Sequence, residues 1–186
     1  MRIKERKLQG VYEITLEQRE DSRGVFVRTY DKKTFGEAGL NQDWVQENQS
    51  YSRKKGTLRG LHFQFPPHSE IKLVRASRGD IFIAYVDIRK GSPTLGRWES
   101  LVLSEGNLKA LYVPRGFALG MCTLSDNCVL LYKMGDYYTP ETQGAIRWND
   151  PDIGIKWPAD KPVLSERDAT ALSFGEFMTK YRGLDV

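Results

Sequence analysis

The feature that most limits what this chain can fold into is a succession of short apolar runs, each closed off by turn residues. Runs suited to a pleated surface occupy 57–65 (TLRGLHFQF), 71–76 (IKLVRA), 81–88 (IFIAYVDI), 98–103 (WESLVL), 108–113 (LKALYV) and 128–134 (CVLLYKM). Between them stand SRGD at 77–80, GSP at 91–93, SEGN at 104–107, PRG at 114–116 and SDN at 125–127, all residues that favour tight turns. Short strands at this spacing close into a sandwich or small barrel. The sequence therefore predicts an all-β fold, a jelly-roll barrel, with residues 1–186 forming a single domain. Helical signals are brief and peripheral. One covers 31–39 (DKKTFGEAG); the other covers 173–182 (SFGEFMTKYR), where Ser173 and Glu176 have capping-box spacing. The stretch 135–167 is rich in aromatics and prolines without a clear period, and is expected to pack over the barrel mouth.

Composition narrows the partners. An apolar fraction of 40% with 28% charged residues is that of an ordinary water-soluble domain. The net charge of +4 suits an anionic ligand but lacks the basic stripe of a nucleic-acid binder. Arg53-Lys54-Lys55, the densest basic cluster, adjoins a turn and reads as a solvated loop. No apolar run approaches a membrane span, and MRIKERKLQG is followed by no apolar region, so neither an anchor nor a signal peptide is expected. Cys122 and Cys128 flank SDN and could face each other across a hairpin. In a chain without an export signal they read as reduced thiols, which places the protein in the cytoplasm.

The run at 57–65 holds His62, one of only two histidines, and raises a geometric question. Strict alternation would put Arg59 and His62 on opposite faces of the strand. The glycine between them, Gly60, is the kind of residue that marks a bulge, and a bulge would turn both side chains toward one cavity. Without one, Arg59 points to solvent and His62 is a hydrogen-bonded core histidine, the arrangement the strand by itself favours. A jelly roll with an early histidine raises the possibility of a metal-binding cupin. The ligand count argues against it. Gln64 stands where His-x-His would need its second histidine, Leu119 stands where a histidine would follow Pro114-Arg115-Gly116, and His68 cannot replace both. A metal-free barrel is expected, which leaves His62 available as an acid or base.

The blocks SYSRKKGTLRGLHFQFPP, KLVRASRGDIFIAYVDIRKGSPTLGRW, LYVPRGFALG, YKMGDYYTPE, WNDPDIGIKWP and LSERDA resemble, in order, those of the RmlC-type dTDP-4-dehydrorhamnose 3,5-epimerases. The resemblance runs from about Asp21 to about Asp168. It implies a cupin-type jelly roll, a homodimer without cofactor or metal, and a nucleotide-diphosphate sugar as substrate. The implied reaction inverts C3 and C5 of a 4-keto-6-deoxyhexose during synthesis of deoxysugars such as the rhamnose of O-antigens. Both carbons flank the C4 ketone, so loss of either proton gives an enolate with its charge largely on O4.

By the same resemblance, His62 is the base and Asp168 the carboxylate that orients it. Lys72 is the cation at the sugar oxygen and Tyr132 the acid that delivers a proton from the opposite face. Arg59 matches a substrate-contacting arginine near the diphosphate. Arg23, Gln46, Asn48, Tyr138 and Glu141 match substrate-binding positions, with Arg23 reaching across a dimer in many members. Three positions depart from the family pattern: Arg28 replaces a glutamate, Leu119 a histidine and Arg167 a lysine. Arg28 reverses a charge at the nucleotide end, which opens the choice of base. Leu119 replaces a polar contact, which bears on whether both carbons invert. Alternatives are an epimerase acting at C3 or C5 alone on a CDP-linked or other nucleotide sugar, a sugar 3,4-ketoisomerase, and a non-catalytic nucleotide-sugar-binding barrel.

Overall fold

Along 81–86 the side chains at odd positions face one way and those at even positions the other, and both sets are apolar. A strand of this kind must be covered on both faces. In the computed structural model, which describes residues 1–40 and 43–186, that is what surrounds it. Ile81, Ile83 and Tyr85 point into a core between two sheets, while Ala84 and Val86 point into a second apolar cluster behind.

The strands in chain order are β1 (Arg2–Glu5), β2 (Tyr12–Thr15), β3 (Gln18–Asp21), β4 (Gly24–Val27), β5 (Gln46–Ser52), β6 (Leu58–Gln64) and β7 (Lys72–Arg78). They continue as β8 (Asp80–Asp87), β9 (Trp98–Ser104), β10 (Lys109–Val113), β11 (Phe117–Thr123), β12 (Cys128–Met134) and β13 (Gln143–Ala145). Three short helices, α1 (Lys32–Glu37), α2 (Glu166–Ala169) and α3 (Phe174–Tyr181), lie at the periphery. A six-stranded sheet in the order β1-β2-β10-β7-β12-β5 faces a five-stranded one in the order β13-β6-β11-β8-β9, and β3 and β4 form a separate hairpin. All named pairings are antiparallel. This is the expected jelly-roll architecture.

The core has three parts. The inner faces of both sheets enclose the first, built from Val74, Ile83, Leu111, Met121 and Leu130 among others. Behind the five-stranded sheet, Leu61, Phe63 and Val86 pack against Ile146, Ile153, Ile155 and Phe177. Behind the six-stranded sheet, Ile14, Leu73 and Tyr112 pack against Phe35 of α1. α3 begins with the capping box foreseen, Ser173 Oγ accepting from the Glu176 N–H and the Glu176 carboxylate accepting from the Ser173 N–H. α1 ends at Glu37, short of the predicted boundary, after starting on Asp31 as its cap.

Two expectations are corrected. The stretch 135–167 does not lie over the barrel mouth as a whole. Its two ends reach the cavity, through Tyr138 and Gln143 at one and Arg167 at the other, while between them Ile146, Ile153, Ile155 and Trp157 find apolar partners on the back of the five-stranded sheet. SDN does not turn a hairpin. It carries the chain from β11 in one sheet to β12 in the other, so Cys122 lies opposite Phe82 and Cys128 opposite Ser52. Both thiols are free and buried, and burial pushes that of Cys122 up to about 11.

Candidate active site

The site is set by an irregularity between β6 and β11. His62 pairs with Leu119 and Arg59 with Met121, so β6 spends one more residue than its neighbour over the same distance. Gly60 absorbs the difference at φ +117°, a conformation that side-chain-bearing residues rarely adopt. A Cβ there would lie 2.6 Å from both the Leu119 carbonyl oxygen and Gly120 Cα, so the backbones meet where only glycine fits. The bulge brings Arg59 and His62 to one cavity, the arrangement that the strand pattern alone had left second.

That cavity, about 420 Å³, lies between the sheets. Arg59, His62, Leu119 and Met121 line it from the five-stranded sheet, and Ser50, Lys72, Val74, Leu130 and Tyr132 from the six-stranded one. Tyr138 completes it from the β12–β13 connection, Gln143 from the start of β13 and Arg167 from α2. Its polar wall is rich in cations, which suits an anionic ligand.

His62 Nε2 lies 2.5 Å from Asp168 Oδ1. The Asp168 side chain is 4% exposed and that of His62 37%, so the carboxylate is enclosed while the imidazole reaches the cavity. Burial alone would raise the carboxyl pKa. The imidazole, the Ser165 hydroxyl and the Gly60 N–H outweigh that and hold it below the usual carboxylate range. Ser165 caps α2: its Oγ donates to Asp168 Oδ2 at 2.9 Å and accepts from the Asp168 N–H at 3.2 Å. An ionised Asp168 can only accept at this contact, so in the neutral ring Nε2 is the donor and Nδ1 the nitrogen with the lone pair.

Tyr132 stands on the opposite wall. Desolvation pushes its phenol pKa up, Arg59 opposes the shift and Tyr138 adds to it, so the hydroxyl keeps its proton at neutral pH. Lys72, also on that wall, has its Nζ 2.7 Å from Glu70 Oε1. Arg167 donates to the Gln143 side-chain oxygen. The Gln46 side-chain oxygen accepts from the Tyr138 N–H, tying the segment that carries Tyr138 to β5.

Other positions singled out from the sequence lie elsewhere. Asn48 lies opposite Tyr132 on β5 and donates to Met134 Sδ at 3.3 Å, outside the cavity lining. Glu141 is exposed in the 3-10 turn Pro140–Thr142. Arg23 sits at the tip of the β3–β4 hairpin, paired with Asp21 at 2.7 Å, and Arg28 pairs with Asp31 at 3.0 Å. Neither reaches the cavity of its own chain. Gln64 is buried rather than presented as a ligand. Its amide donates to the carbonyls of His68 and Tyr137 at 2.8 and 3.0 Å and accepts from the Thr139 N–H at 2.8 Å. Among the described residues no three His, Cys, Asp or Glu side chains gather as a metal would require.

Sequence reasoning missed Ser50, Gln143, Ser165 and Glu70. Two of them had a readable signal. Ser165 precedes Asp168 at helix-cap spacing, and Glu70 precedes Lys72 by two, which puts both on one face of an extended segment.

A barrel with a histidine–carboxylate pair on one wall and a protonated tyrosine and a lysine on the other defines a class of acid–base enzymes. Comparison with known proteins gives the family. The family model described as dTDP-4-dehydrorhamnose 3,5-epimerase matches residues 5–176. The dTDP-4-dehydrorhamnose 3,5-epimerase of Salmonella typhimurium is 48% identical over 153 residues, covering 81% of this chain and 83% of that one. A 4-keto-6-deoxy sugar epimerase from the novobiocin biosynthetic gene cluster of Streptomyces spheroides superposes with a TM-score of 0.95 at 38% identity, over 100% of this chain and 93% of that one. The dTDP-6-deoxy-D-glucose-3,5-epimerase of Legionella pneumophila, solved with dTDP-4-keto-L-rhamnose, gives a TM-score of 0.91 at 36% identity, over 96% and 95%. This chain belongs to the dTDP-4-dehydrorhamnose 3,5-epimerase family.

Proposed function

We propose that the protein inverts C3 and C5 of dTDP-4-dehydro-6-deoxy-glucose. The observation that carries this reading is the placement of His62 and Tyr132 on opposite walls of one cavity. Inversion needs a proton removed from one face of a carbon and another delivered to the other face.

In this reading His62 Nδ1 takes the proton from C3 or C5. The C–H electrons form a double bond to C4, and the ketone π electrons move to O4. Asp168 holds the ring and stabilises the imidazolium. Lys72 meets the charge on O4, a fixed cation that gains most as the enolate forms. Tyr132 then gives its proton to the carbon from the other side, electrons return from O4, and the C4 ketone is restored. Solvent resets the imidazolium and the phenolate before the second carbon reacts. Arg59 and Arg167 hold the diphosphate, with Tyr138 over the sugar.

The chain works as one domain and as a homodimer. The β3–β4 hairpin supports this, since Val25 and Phe26 leave 56% and 61% of their surface exposed beside Arg23. A partner copy would cover them and receive Arg23 and Arg28 at the nucleotide end of its site, with Gln46, Asn48 and Glu141 at the rim. No helix among the described residues is long and apolar enough to cross a membrane, and we place the protein in cytoplasmic deoxysugar synthesis. The test is to incubate it with dTDP-4-dehydro-6-deoxy-glucose and read the product configuration by NMR. Inversion at both carbons is expected. Inversion at one assigns the single-position reaction, which the apolar Leu119 opposite His62 would favour; inversion at neither overturns the reading.

A further inference from the structure

We infer that Glu70 is a positioning residue that fixes the lysine cation of the site; the inference rests on the epimerase reading above. Glu70 is a buried carboxylate that the mechanism does not use. Its side chain is 4% exposed, and Lys72 Nζ lies 2.7 Å from its Oε1. Lys72 in turn lines the cavity at 15% exposure. Among the described residues this is the one ion pair that Lys72 makes.

Stability alone is a poor reason for such a pair. Taking two charges out of water costs about as much as their attraction returns, and apolar residues of the same volume often serve a fold as well. Lysine's difficulty as an electrophile is its freedom, because a four-carbon stem lets the ammonium wander. A carboxylate at contact distance removes that freedom, provided the carboxylate is itself held.

Glu70 is held. Ser69, before it, donates through Oγ to the Gln64 carbonyl at 3.1 Å, and its own carbonyl accepts from Arg115 Nε at 2.6 Å. Ile71, after it, accepts from the Gly135 N–H at 2.9 Å. All three residues of 69–71 are buried. The connection from β6 to β7 is thus pinned on both sides of the glutamate, and the glutamate pins the cation. A fixed cation needs no reorganisation as charge develops on O4.

The arrangement predicts opposite signs for two measurements. Glu70→Gln keeps the volume and removes the charge. Release of the ammonium should lower kcat and the rate of solvent deuterium exchange by roughly tenfold or more. Loss of an anion from a site that takes a diphosphate should leave affinity for dTDP unchanged or tighter. A merely structural glutamate would weaken both together.

The experiment measures kcat, exchange rate and dTDP affinity in wild type, Glu70→Gln, Lys72→Met and the double variant, with thermal unfolding of each as the check on folding. We expect Glu70→Gln to cost rate in the wild type and less than about twofold in the Lys72→Met background, since non-additivity marks residues that act as one unit. Glu70→Asp, which restores the charge and serves if Glu70→Gln does not fold, should recover part of the rate. Wild-type kcat in Glu70→Gln, an equal loss in the Lys72→Met background, or a loss confined to dTDP affinity would each overturn the inference while leaving the epimerase reading intact. No exchange in the wild type would overturn both.

Discussion

Replacement of Gly60 by alanine tests the bulge on which the site depends. The residue sits at φ +117°, and a Cβ would come within 2.6 Å of Leu119 O and of Gly120 Cα. Both are backbone atoms, so no side chain can swing away. Holding a residue with a Cβ in that region costs about 1–3 kcal/mol, and forcing extra volume into a packed site costs about 1–3 kcal/mol more. β11 cannot retreat easily, because Gly120 has Trp157 and Leu61 at its back, at 2.9 and 3.0 Å from where its own Cβ would be. Gly60→Ala should therefore lose at least about 2 kcal/mol of stability, a fall of roughly 1 M in the urea midpoint for a slope of about 2 kcal/mol/M. The effect reaches the chemistry too, since Gly60 donates its N–H to Asp168 and separates Arg59 from His62. Urea unfolding with the substrate-turnover rate on the same preparations would check it. A midpoint within experimental error of the wild type, with unchanged turnover, would refute the argument from close approach.

Tyr132→Phe should separate two observables: His62 can still remove a proton and return a deuteron to the same face, so exchange survives while inversion, followed by product NMR, declines. Asp168 gives a pH dependence of stability. Its folded pKa lies below that of the unfolded chain, so its contribution is full above about pH 4 and is lost as pH falls through the folded value. Acid unfolding curves of wild type and Asp168→Asn should accordingly converge at low pH. With Gln64 committed to the 137–139 backbone and Leu119 apolar, turnover should survive exhaustive chelation; loss that a divalent ion restores would contradict the metal-free assignment.

How far the sequence foretold the molecule depended on what each strand faces. β8 was legible because it is covered on both sides and therefore apolar from Ile81 to Val86. β5 (QENQSYS) was not, because its inward residues include Ser50, which faces a polar cavity, and its outward ones meet solvent. β11 (FALGMCT) reads weakly as a strand because Gly120 must be small where Trp157 and Leu61 press on it. β1 and β3, at an edge and in the exposed hairpin, carry little apolar signal, and β4 (GVFV) is apolar but only four residues long and mostly exposed.

The same logic governs the site. Tyr132 alternates with Leu130 and could not be told from a core residue by pattern, since one face of β12 supplies both the core and the cavity. His62 with Gly60 was readable because a bulge leaves a glycine behind. Asp168 is 106 residues from His62 in the chain, and no periodicity connects them; family resemblance did. Arg23 and Arg28 were tied to substrate by resemblance alone, and in the single chain neither lines the cavity.

The central claim is that His62 removes protons beside the C4 ketone, and solvent exchange tests it most directly. The protein would be incubated in D₂O with dTDP-4-dehydro-6-deoxy-glucose while the C3 and C5 protons are followed by NMR, alongside His62→Asn. The account predicts deuterium at both carbons with the wild type and at neither with His62→Asn. Exchange that persists in His62→Asn, or a wild type that binds dTDP yet exchanges neither carbon, would contradict it.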